Sequence, residues 1–380
     1  MRSRLLPDLY AFEHLRLAAS RRGICRNVSP LTRVGIIGAG NVAARHAEVL
    51  SGFPDVTIAG IADTDPHRAE ALASRHGALA YGGHADLLSA GGLDAVYVCV
   101  PPFAHGNPEH DVLSCNLPIF VEKPLSLDLK TAEIIASEIE RRSLPSAVGH
   151  HWRYLDIVQQ ARDLLAERPV RLALGHWLDK VPPVAWWLNP SMSGGQIVEQ
   201  AVHVLDLARV LVGEVTMVHA VPADNKIDGE VDRATAAVLR FTDGAAGLLA
   251  TSCLLTQKHR VGLEVCAEGL ALELSETRLL VDGQRVIEDD GLAKTRVDRE
   301  FINAVQGRDA DVRVPYGEAL RTHRLALALA RSAAEGRPVV LSESEGAPSP
   351  GLRSDGSEAT RATREGDGSA ATEPPHGVRP

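Results

Sequence analysis

Cysteine is scarce in this 380-residue chain and shows no pairing pattern: Cys25, Cys99, Cys115, Cys253 and Cys266 are scattered, odd in number and never spaced as Cys-x-x-Cys. That argues against a disulfide framework or a zinc knuckle and places reduced thiols in a cytoplasmic protein. Basic charge is not in excess either. The 40 Lys and Arg against 49 Asp and Glu leave a net charge of −9, so no general positive field exists for nucleic acid or an anionic membrane. No apolar run approaches the ~18 residues of a membrane span, and no basic, apolar, small-residue series resembles a secretory signal. The histidines and acids form no spaced metal-ligand set, so no metal is expected, and no internal repeat is present. The expected partner is a small molecule.

The length and ordinary apolar content suit two cores with a cleft between them. Residues 1–32 read as an N-terminal extension. Its arginines around a weakly amphipathic stretch suggest organelle targeting, but Asp8 and Glu13 dilute that pattern, and a dispensable extension is the competing reading. From 33 to 150, nearly continuous apolar runs (Arg33-Val34-Gly35-Ile36-Ile37, then 56–62, 95–100, 118–121 and 146–149) alternate with helical patterns. That is the mark of an α/β domain whose doubly wound parallel sheet is covered on both faces. From 151 to 342 the pattern changes to a strand near 170–176, a helix over 195–212, and strands in series over 216–221, 234–241, 245–254 and 261–267. Such a series predicts an α+β domain with an open, mostly antiparallel sheet. A last helix over 316–335, ending at Gly336, is expected to pack back on one of the two domains. Residues 343–380 have almost no large apolar side chain and read as a disordered tail.

Gly38-Ala39-Gly40-Asn41-Val42-Ala43 follows the first predicted strand and opens a helix, matching the G-x-G-x-x-G/A dinucleotide fingerprint in its required context. Gly38 permits the tight turn, Gly40 lets the backbone approach a pyrophosphate, and Ala43 allows close helix packing. The free N–H groups at the helix start face the anion. Asp63 ends the second strand, where a carboxylate can bond both ribose hydroxyls; this Rossmann arrangement favours NAD over the 2′-phosphate of NADP. The competing reading makes Asp63 the cap of the helix entered at Thr64-Asp65-Pro66. Arg68 could offset a phosphate, which leaves NADP open. Glu122-Lys123-Pro124 lies at the carboxyl edge of the predicted sheet, so Lys123 would face the cofactor and stabilise charge on a substrate oxygen.

These motifs, with a later Gly-Gly…His…Asp helix, resemble the Gfo/Idh/MocA oxidoreductase family over about residues 33–340. The resemblance implies a Rossmann domain joined to an α/β domain whose open sheet supports homo-oligomer contacts, as a dimer or tetramer. It also implies hydride transfer between NAD(P) and a hydroxyl or carbonyl carbon of a sugar, cyclitol or related polyol. The family's second catalytic element maps onto residues 193–206, placing Glu199 and His203 four apart, on one face if the helix is continuous. His203 is then the proton carrier. Glu199 stands where many members carry aspartate, and would orient His203 or bind a substrate hydroxyl; Asp206 is either catalytic or a packing residue. Pro101, Pro102 and His105 follow the strand ending at Val100, where similar proteins border the nicotinamide, with a helix-start role as the alternative for His105. Glu122 is grouped with these cofactor contacts. Arg153, at the crossing into the second domain, would hold a hydroxyl or carboxylate, and Trp187 a sugar face, unless it belongs to a core or an interface. Two other functions are open at this stage: a catalytically silent dinucleotide-binding regulator, and an enzyme that keeps its cofactor through an internal oxidation and reduction.

Overall fold

The computed structural model describes residues 31–223, 229–308 and 311–341; the expectations for residues 1–30 and for the tail at 343–380 fall outside them. In the first half, strands β1 (Thr32–Ile37), β2 (Val56–Ala62), β3 (Leu79–Tyr81), β4 (Ala95–Val98), β5 (Ile119–Val121) and β6 (Ser146–Val148) form a parallel sheet in the order β3-β2-β1-β4-β5-β6. Helices α1 (Asn41–Ser51), α2 (Pro66–His76), α3 (His84–Ala90), α4 (Asn107–Ser114) and α5 (Leu129–Arg142) connect them. The order reverses beside β1, the switch point where such sheets bind dinucleotides. Strands β4 to β6 are buried at every residue, as their unbroken apolar runs require.

After a 3-10 turn at His151–Tyr154 come α6 (Asp156–Leu165), β7 (Val170–Leu178), α7 (Pro190–Ser193), α8 (Gly195–Glu199) and α9 (Val202–Leu211). Strands β8 (Val215–Pro222), β9 (Ala234–Phe241), β10 (Ala246–Ser252), β11 (Arg260–Ala267), β12 (Leu270–Leu274), β13 (Arg278–Val281) and β14 (Arg285–Glu288) follow. The chain closes with α10 (Ala293–Val305), α11 (Tyr316–Glu335) and β15 (Val339–Val340). The second sheet has the order β14-β13-β12-β11-β7-β10-β9-β8-β15, antiparallel except where β10 runs parallel to β7. Strands β9 and β10 alternate buried and exposed residues, so one face is packed and the other open.

Two expectations change here. The helix predicted over 195–212 is two helices, broken at Gln200 and Ala201. The final helix packs on both halves rather than one. Buried residues surround most of α11, which lies against β8 and α9 and also against α5, with Arg324 2.9 Å from Glu133. Helix α10, absent from the sequence reading, returns to the first sheet, where Phe301 meets the stacked Tyr97 and Phe120 rings edge-on.

Candidate active site

At the end of β1 the chain turns through Gly38 at φ +96°, and a Cβ there would lie 2.2 Å from the Cys99 carbonyl oxygen, so only glycine fits. Gly40 has nothing within 4 Å of a built Cβ, and helix α1 starts directly after it with no side-chain cap. Asn41 and Val42 are exposed while Ala43 is buried against the sheet. Unfilled space over uncapped N–H groups is the cradle that a pyrophosphate needs. The Asp63 carboxylate braces this turn, accepting hydrogen bonds from the Ala39 N–H at 2.7 Å and the Asp65 N–H at 2.8 Å. The cap of α2 is Asp65, whose side chain accepts from the His67 N–H, and Arg68 pairs with Asp65 at 3.3 Å. Asp63 keeps lone pairs for ribose hydroxyls. These residues fit an NAD adenosine half.

Lys123, directly after β5, reaches α8: its ammonium donates to the Glu199 carbonyl at 2.7 Å and to Glu199 Oε1 at 3.1 Å. The helix break makes this contact. In a continuous helix the Glu199 carbonyl would accept from the His203 N–H; here that N–H turns to Gln200, Ala201 bonds back to Gln196, and the freed carbonyl takes the lysine. Trp187 Nε1 donates to the other Glu199 oxygen at 2.8 Å. Glu199 is thus clamped between Lys123 and Trp187 and makes no hydrogen bond to the His203 ring. Trp187 is fully buried and offers no open sugar platform; its neighbour Trp186 instead meets the exposed Phe103 ring edge-on, 6.5 Å away.

His203 is buried beside Trp152 and Trp177, whose near-parallel rings have centroids 5.9 and 6.1 Å away and lie 6.0 Å from each other. Burial, reinforced by the positive field of Lys123 and then by His151, His150 and Arg45, holds it well below the ordinary histidine range. The ring is a neutral imidazole at neutral pH, and its buried Nδ1 has no partner.

Three other residues sit elsewhere than expected. Arg153 is bidentate to Asp206, 2.7 Å from each carboxylate oxygen, and also 2.9 Å from Glu318. Its charge is absorbed by a network that includes Arg209 and Thr322, and Asp206 belongs to that network as well. Pro101 and Pro102 border the carboxyl edge, Pro102 opening a 3-10 turn, but His105 turns inward and bonds Glu109, which also accepts from the Gly106 N–H at the start of α4. His105 thus stands at the start of α4 with its side chain buried against Glu109. Glu122 points beneath the site: its Oε1 is 2.9 Å from His46 Nε2, and its Oε2 accepts from the Lys123 N–H at 3.1 Å. On the far side of His46, Nδ1 lies 2.7 Å from Asp298 of α10. Sequence reasoning missed both His46 and Asp298; neither lies in a motif, and only the apolar spacing of Val297, Phe301 and Ile302 hinted at the helix that carries Asp298.

Residues 32–150 match the model of an oxidoreductase family with an NAD-binding Rossmann fold, and residues 158–273 match the GFO/IDH/MocA C-terminal domain. Inositol 2-dehydrogenase of Rhizobium meliloti (strain 1021) is 24% identical over 333 residues, covering 81% of this chain and 99% of the relative. Among solved structures, GenD2 from gentamicin A biosynthesis in complex with NAD superposes with a TM-score of 0.74 at 22% identity, covering 83% of this chain and 97% of that one. Levoglucosan dehydrogenase in complex with NADH and levoglucosan superposes with a TM-score of 0.73 at 18% identity, covering 82% and 99%. With both family models matched in order along one chain, this protein belongs to the Gfo/Idh/MocA family of NAD-binding oxidoreductases.

Proposed function

We propose that the chain is an NAD-dependent dehydrogenase acting on a CH–OH group of a sugar, cyclitol or related polyol, in two domains that meet near residue 150. The observation that carries this reading is the meeting of Lys123, from the carboxyl edge of the NAD-binding sheet, with Glu199 four residues before buried His203. Gly38, Gly40, Asn41, Val42, Ala43 and Asp63 hold the dinucleotide, with Pro101 and Pro102 beside its nicotinamide. When bound, that ring supplies the two-electron acceptor or donor.

The remaining work falls to side chains. An ammonium has three donors, and Lys123 uses two on Glu199. The third is left for a substrate oxygen, where it stabilises developing alkoxide charge. Glu199, fixed by Trp187, positions Lys123. His203, neutral before the reaction, accepts the hydroxyl proton during oxidation or returns one during reduction. The wall of Trp152 and Trp177 excludes water around it. Relatives named for inositol and levoglucosan support the substrate class. The open face of the second sheet exposes Val221, Val238, Leu248 and Val340, which supports a homo-oligomer.

A screen of polyols, cyclitols and sugars with NAD and NADP in parallel, followed by nicotinamide absorbance, tests the reading. Reduction of NAD by at least one polyol, with NADP slower, is expected. Tight dinucleotide binding without turnover of any polyol would contradict it.

A further inference from the structure

His203 must dispose of any proton it takes. It has four rings for neighbours: Trp152 and Trp177 lie near-parallel to it at 5.9 and 6.1 Å, and His150 and His151 meet it edge-on at 5.8 and 5.0 Å. An imidazole held well below its ordinary range by burial first, then by Lys123, His151, His150 and Arg45, keeps a proton only briefly. Its two histidine neighbours are unequal. His150 is itself buried, lowered to about 4 chiefly by burial, and its Nδ1, without a hydrogen-bond partner, is 4.0 Å from an Asp206 already held by Arg153. His151 leads outward. Its side chain keeps 11% exposure and its Nε2 is 3.3 Å from Glu276 Oε1. Glu276 sits on the β12–β13 turn, about one-third exposed at 35%, with Lys294 at 3.4 Å and Lys258 at 3.8 Å.

We propose that His151 and Glu276 form the proton exit of the active site, passing the substrate proton from His203 to solvent. The inference rests on His203 being the proton carrier. In oxidation the substrate O–H bond breaks, its proton moves to His203 and then, directly or over one water, to His151. The Glu276 carboxylate balances the imidazolium until the proton leaves to solvent. The hydrogen of the C–H bond would be taken up, with its electron pair, by the bound dinucleotide, so no other co-reactant is needed. Reduction runs the same path inward. Glu276 suits the role of a permanent counterion: its hydrogen bond from His151 outweighs burial and holds its carboxyl low, at about 2.

The test uses His151→Phe and Glu276→Gln with two readouts. The first is histidine side-chain 15N NMR of ligand-free protein. The His151 ring nitrogens are expected to shift in Glu276→Gln, and the His203 nitrogens to shift with them. A His151 signal unmoved by Glu276→Gln, or a His203 signal that does not move with it, overturns the proposal. The second is turnover in low and high imidazole buffer. His151→Phe is expected to lose at least about tenfold in kcat at low buffer, keep its KM, and recover with added imidazole. Unchanged turnover, or a loss that imidazole does not rescue, overturns the exit. Should His151→Phe fail to fold, Glu276→Gln carries the same buffer test. If the wild type turns over no polyol, the dehydrogenase reading fails by itself, and the NMR arm still decides the coupling.

Discussion

Raising pH should destabilise this protein through one residue, His46. Its ring bridges Asp298 at 2.7 Å and Glu122 at 2.9 Å in a buried pocket under the Lys123 turn. Burial alone would lower its pKa, but the Asp298 charge and the hydrogen bonds to Asp298 and Glu122 outweigh it and lift the ring from 6.5 to about 9. The folded value lies above the unfolded one, so the stabilisation is complete below about pH 6.5 and is lost as pH rises through about 9. At about 1.4 kcal/mol per tenfold preference, that rise corresponds to roughly 3 kcal/mol of folding free energy. Glu122 works at the other end of the scale. Burial pushes its carboxyl up, but the His46 bond and charge, with Arg45 and Lys123, bring it from 4.5 to about 2, so its contribution is present above 4.5 and lost as pH falls through about 2. The assay is urea unfolding by tryptophan fluorescence at about pH 6 and about pH 10 for the wild type and His46→Gln. The wild type should lose roughly 3 kcal/mol more than the variant across that interval, while the variant, leaving two buried carboxylates without their cation, starts about 3 kcal/mol less stable. Parallel pH dependences in the two proteins would refute the reasoning.

Gly38→Ala places a Cβ 2.2 Å from the Cys99 carbonyl oxygen at φ +96°. Strain of about 1–3 kcal/mol should lower Tm and abolish tight dinucleotide binding in calorimetry; unaltered binding would show that the turn is not the cradle. Trp187→Phe removes the indole N–H that holds Glu199 at 2.8 Å. Turnover should fall about tenfold, the value of a buried hydrogen bond, with dinucleotide affinity unchanged, and equal turnover would remove Glu199 from the positioning of Lys123.

How much of this was readable from sequence depended on where the partners lie. Strands β1, β2, β4, β5 and β6 were legible because burial on both faces forces apolar runs, and the glycine turn because its neighbours in space are its neighbours in sequence. Whether Asp63 caps α2 was open in the sequence, because the cap two residues on, Asp65, shows itself only through its bond from the His67 N–H, while Asp63 accepts from the Ala39 N–H. The break at Gln200 and Ala201 carries no glycine or proline; it comes with the reach of Lys123 from 76 residues away. Arg153 looked available for a substrate because its partner Glu318 stands 165 residues on. Helix α10 and the short strands β12 to β14 went unread, and with them Asp298 and Glu276.

The central claim is that Lys123 and His203 carry out the chemistry while the glycine turn and Asp63 hold the cofactor. Its most direct measurement is single-turnover nicotinamide absorbance with an active polyol for the wild type, Lys123→Ala and His203→Ala, beside dinucleotide binding by the same three proteins. The account predicts a rate loss of at least about 100-fold in each variant with dinucleotide affinity within a few fold of the wild type. A variant that keeps its rate, or one that loses rate only in step with lost dinucleotide binding, would contradict it.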